Sequence, residues 1–75
     1  MYKLVEKLLG EFGEVLQVIK FDKTNDLDKL VQKGIDIDTE FEQCGFLTID
    51  KQEVFAVKHE FYRNNNLIFE TKVYA

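Results

Sequence analysis

Cys44 and His59 are the chain's single thiol and single imidazole, and the absence of serine leaves only threonine and tyrosine to supply hydroxyls. Any nucleophile–base pair would have to be built from those two residues, and no third group stands at a spacing that would orient the base. His59 runs in register with Phe55, Val57 and Phe61, which predicts a place at the margin of an apolar face, held by a backbone or carboxylate partner. Cys44, beside Gly45 and Phe46, reads as a small buried thiol. Structural zinc takes four nitrogen or sulfur ligands, which one Cys and one His do not supply. The residues therefore predict no enzyme, no catalytic or metal-binding residue and no cofactor, and a small Cys/His-dependent enzyme stands last among three expectations.

The acidic residues are more informative. Lysine plus arginine number 10 against 14 acids, and the net charge of −4 resides entirely in Asp36, Asp38, Glu40 and Glu42, because the segments 1–21, 22–33 and 43–75 each balance. These four alternate with Ile35, Ile37, Thr39 and Phe41, so an extended strand over 35–42 would project all four carboxylates from one face. Such a ribbon would span about 20 Å at roughly twice the per-phosphate rise of a DNA strand. Two readings follow: an acidic nucleic-acid mimic that occupies the basic groove of a protein partner, or a solvated edge strand whose like charges deter aggregation. A calcium loop fails on detail, since Phe41 and Leu47 occupy the places that need glycine and an acidic ligand.

Gly10-Glu11-Phe12-Gly13 matches the bare Gly-x-x-Gly with which some helix pairs grip a nucleic-acid backbone. Glu11 and Glu14 would repel that backbone, and the chain has no basic surplus, so no direct nucleic-acid binding is expected.

The elements that must position these residues are read from periodicity. Leu4, Val5, Leu8, Leu9 and Phe12 recur at helical spacing and predict a helix over about 2–12. Large residues on both faces of 14–21 predict a strand covered on two sides. Thr24-Asn25-Asp26 offers capping groups for a two-turn helix over 26–33, stopped by Gly34. Alternating runs at 35–42, 45–50, 53–62 and 67–74 predict strands joined by turns at Asp50-Lys51-Gln52 and Arg63-Asn64-Asn65-Asn66. The expected fold is α+β, one domain over 1–75, with two short helices packed on one face of a mainly antiparallel three- to five-stranded sheet.

In 75 residues a single core is small, and one cysteine cannot form an internal disulfide, so a partner subunit is the expected supplement. The unpaired thiol and the lack of any long apolar run predict a cytoplasmic protein with no membrane association. The last two strands carry bulk on both faces, and one layer of helices covers only one of them. Val54, Ala56, Tyr62, Ile68 and Tyr74 thus form the expected oligomer face. The leading functional expectation is a small non-catalytic protein–protein interaction module that self-associates through this aromatic sheet face. The acidic mimic bound to a basic protein is the alternative.

Overall fold

The computed structural model describes residues 1–45 and 47–75. The chain runs β1 (Tyr2–Leu9), β2 (Val15–Lys20), α1 (Leu27–Cys44), β3 (Thr48–Ile49), β4 (Gln52–Glu53), β5 (Ala56–Arg63) and β6 (Asn66–Tyr74). The α+β class with helical cover on a mainly antiparallel sheet is as expected, with one helix in place of two. Four strands form the main sheet in the order β2-β1-β5-β6, every neighbour antiparallel, and β3-β4 is a separate small hairpin. No helix among the described residues is long and apolar enough to cross a membrane.

The segment read as a helix over 2–12 is the central strand β1. Its apolar residues occur in adjacent pairs because both faces are covered: Leu4, Val5, Leu8 and Leu9 are all buried. Glu6 and Lys7, which look like the polar side of a helix, instead meet His59 and Glu60 across the β1–β5 ladder. The Gly-x-x-Gly motif is the turn of the β1–β2 hairpin, not a junction between helices. Gly13 adopts φ 82°, and its N–H donates to Gly10 O. The strand predicted over 14–21 is β2, but it is an edge of the sheet and its Val15 and Val18 are exposed, not covered on two sides.

The short helix predicted over 26–33 continues through the segment read as a strand. Asp26 caps it by accepting from Lys29 N–H at 3.2 Å, and Gly45 ends it at φ 77° with its N–H on Phe41 O. Leu27, Leu30, Gly34, Ile37 and Phe41 are spaced three and four apart, and this stripe faces the sheet. Gly34 is not a stop but the point of closest approach. A Cβ there would lie 3.2 Å from Phe61 Cζ and 3.7 Å from His59 Nδ1. The alternation of Ile35 to Glu42 is therefore a coincidence of two periods, and Ile35 is left exposed.

Of the strand predicted over 45–50, only β3 forms, and Phe46 lies outside the described residues. The predicted run over 53–62 is realised as β5, that over 67–74 as β6. Asn64 and Asn65 both take positive φ in the two-residue turn between them, and Asp50 and Lys51 do the same between β3 and β4.

On the helix side the core has two apolar clusters. Leu4, Leu30 and Phe61 form one, while Leu8, Phe41, Val54 and Val57 form the other. Between them, on the same face of β1 and β5, lie Glu6 and His59.

Candidate functional site

Three arrangements of polar or exposed groups stand out. The first is the buried row that divides the core. His59 is 0% exposed; its Nε2 lies 3.3 Å from Glu6 Oε1, and its Nδ1 lies 3.1 Å from Asp38 Oδ1. The Asp38 contact is a close approach of charge without hydrogen-bond alignment, so both of these atoms lack a partner of good geometry. Burial pushes the Asp38 carboxyl above the usual carboxylate range, aided by Glu42 and Glu6 and opposed by His59. The carboxylates flank the ring rather than converge, and among the described residues no group of three or more His, Cys, Asp and Glu could hold a metal ion. Glu6 and His59 are buried under α1, while the Asp38 side chain keeps 18% of its surface exposed.

Cys44, the other half of the expected pair, ends α1 and is exposed, not buried. His59 has the carboxylate partner the sequence suggests, but at the centre of the core rather than its margin. An apolar cleft of about 260 Å³ lies beside Cys44, Ile37, Phe41 and Glu6. It falls below the ~300–1,000 Å³ common for small-molecule sites.

The acidic ribbon is not formed. On α1 the four carboxylates advance by about 100° per residue, so Asp36 and Glu40 share one flank, and Asp38 and Glu42 another. Asp38 turns inward to His59, and Asp36 accepts from Gln32 Nε2 at 2.9 Å. The even spacing that made a phosphate-like array belonged to the strand and is lost with it.

The second arrangement occupies the helix-free face of the sheet. Its centre is Glu60, buried on β5 despite having no helix above it. Lys7 Nζ lies 3.0 and 3.1 Å from its two oxygens, Tyr62 OH donates to it at 3.0 Å, and Lys58 reaches it at 3.4 Å and Glu70 at 3.2 Å. Burial raises the Glu60 carboxyl, but the hydrogen bonds from Lys7 and Tyr62 outweigh it and hold the group below its ordinary range. Lys3 sits over the Tyr62 ring and Lys72 over Tyr74. Register puts Lys20 on this face too, opposite Val5. Five lysines and two glutamates thus share one face of an acidic chain. Charge counted along the chain hides this cluster, whereas the alternations Lys3-Val5-Lys7, Lys58-Glu60-Tyr62 and Glu70-Lys72-Tyr74 are its sequence traces.

The third arrangement is the outer edge of β6. Leu67, Ile68, Phe69 and Tyr74 are all exposed, Tyr74 by 66%, and among the described residues no strand pairs with the far side of β6. Of the predicted oligomer face, Ile68 and Tyr74 lie on this strand and Tyr62 on its neighbour. Val54 and Ala56 do not belong to a surface: Val54 is in the core with Leu8 and Phe41, and Ala56 is buried. The signal misread there was strand length, since Val54 precedes β5 and turns inward.

No protein-family model matches the chain, and neither a curated protein nor a solved structure matches it.

Proposed function

We propose that this chain is a small non-catalytic protein–protein interaction module that self-associates through its outer hairpin, β5–β6. The observation that carries this reading is β6 itself, a nine-residue strand bearing four exposed large apolar side chains along an unpaired edge. Long apolar edges template pairing with another chain, and soluble proteins ordinarily shorten or cover them. The size of the fold supports the same reading, because two modest clusters split by a polar row leave little apolar burial for the chain to rely on.

Sedimentation velocity across a concentration series tests the proposal. Dimers or larger species at micromolar concentration are expected, and Ile68→Lys with Tyr74→Lys should dissociate them while the circular dichroism of the fold persists. A monomer at about 100 μM, a concentration far above the Kd of a specific protein pair, would end it.

A further inference from the structure

We infer that the partner of β6 is β6 of a second copy, paired antiparallel about a two-fold axis through Thr71 so that Glu70 of each chain faces Lys72 of the other. The inference rests on the self-association proposed above and adds its register. Ala75 N–H donates to Phe55 O, and the register between β5 and β6 pairs Val57 with Val73, His59 with Thr71 and Phe61 with Phe69. Those odd-numbered residues of β6 therefore spend their backbone groups on β5, while the N–H and C=O of Glu70, Lys72 and Tyr74 point to the open edge. The Phe21 N–H to Leu4 O bond at the other end of the sheet fixes the same alternation independently.

Only even-numbered residues can then form the hydrogen-bonded pairs of a β6–β6 ladder, and three registers centre that ladder within Glu70–Lys72. Centred on Glu70, the ladder opposes Glu70 to Glu70; centred on Lys72, it opposes Lys72 to Lys72. Like charges directly across a ladder destabilise it. Centred on Thr71, it forms two Glu70–Lys72 pairs on the helix-free face and two Phe69–Val73 pairs on the helix side. The exposed Phe69 and the half-buried Val73 gain cover in that arrangement. The axis runs perpendicular to the sheet, so both helices stay on one side of a continuous eight-stranded sheet. The irregularity between Phe61 and Tyr62, which displaces Ile68 from the regular ladder, limits the regular pairing to the C-terminal part of β6.

Charge reversal tests the register. Glu70→Lys alone and Lys72→Glu alone should each weaken the dimer by about tenfold or more, since each turns two attractive pairs into repulsive ones. An equimolar mixture of the two variants should recover the wild-type sedimentation as a heterodimer, and so should the double variant Glu70→Lys/Lys72→Glu. In a Cys44→Ala background, Thr71→Cys should form an intermolecular disulfide under mild oxidation, and Val73→Cys should not. A wild-type dimer indifferent to both single reversals, or one that cross-links at Val73→Cys and not at Thr71→Cys, overturns the register and leaves self-association standing. A monomeric wild type overturns both.

Discussion

Glu6 and His59 face one another across the central β1–β5 ladder as a registered pair, their side chains 3.3 Å apart and sealed from water by α1. Asp38 closes the row from the helix side, so the strand pair and the helix are joined at the middle of the core by charge rather than by hydrocarbon. Such a junction is costly to break from one side only.

Removing Glu6 alone should therefore be far worse than removing the whole row. Glu6→Ala is expected to lower stability by about 3–5 kcal/mol in urea titrations, because it strands a buried polar ring. The triple variant Glu6→Leu/Asp38→Val/His59→Leu should be at least as stable as wild type, since packed apolar replacements of buried ionic groups are often neutral or stabilising by about 1–4 kcal/mol. A triple variant weaker than Glu6→Ala would show that the row supplies net stability.

Two carboxylates should give the stability–pH curve opposite slopes. The folded Asp38 holds its proton above its ordinary value of 3.8, so the native state binds more protons than the unfolded chain there, and stability falls as pH rises from about that value through the raised pKa. Glu60 is shifted down, so its contribution is in place above its ordinary 4.5 and is lost as pH falls through the lowered pKa. Asp38→Asn should flatten the first slope and Glu60→Gln the second, read from denaturation midpoints across the acid range.

Gly34 should resist replacement even though glycine in a helix interior costs about 1 kcal/mol relative to alanine. The added methyl would lie 3.2 Å from Phe61 Cζ, and Phe61 is itself buried and stacked on Phe69 at 4.4 Å between ring centres. With little room to yield, Gly34→Ala is expected to destabilise the fold, while Phe61→Leu should make the added methyl less harmful in a double-mutant cycle. Thermal denaturation of the four proteins decides it.

Cys44 should be dispensable. Being exposed at the last position of α1, Cys44→Ala is expected to change stability by no more than about 0.5 kcal/mol, and the native thiol should react stoichiometrically with an aromatic disulfide reagent.

What the sequence disclosed depended on whether each element had one periodicity or two. The β5–β6 hairpin was legible because Asn64 and Asn65 mark a turn that tolerates positive φ and the runs on either side are rich in strand formers. β1 was not, because its charged side chains find their partners some 53 positions away, and partnered charges look like a solvated helical side until the partner is known. The segment from Ile35 to Glu42 satisfies a two-residue and a helical period at once. The decision was made by Gly34, Ile37 and Phe41 meeting β5 and the core, a contact no local pattern contains. The expected oligomer face was half legible for the same reason: Ile68 and Tyr74 are on the strand's open edge, while Val54 lies beyond the start of the ladder.

The pairing of β1 with β5 also governs the order in which the molecule can be assembled. Tyr2 pairs with Arg63 and Leu9 with Ala56, so the strand at the heart of the sheet waits for residues from the far end of the domain. During synthesis the residues of the β1–β2 hairpin and of α1 precede β5, so Leu4, Leu8 and the Glu6 carboxylate lack their β5 partners Phe61, Val57 and His59 until then. Closing so wide a loop costs chain entropy before the β1–β5 ladder rewards it, which slows folding relative to a fold built from neighbouring elements. Until β5 emerges, an apolar N-terminal strand is available to any other nascent copy, and intermolecular capture competes with folding at that stage.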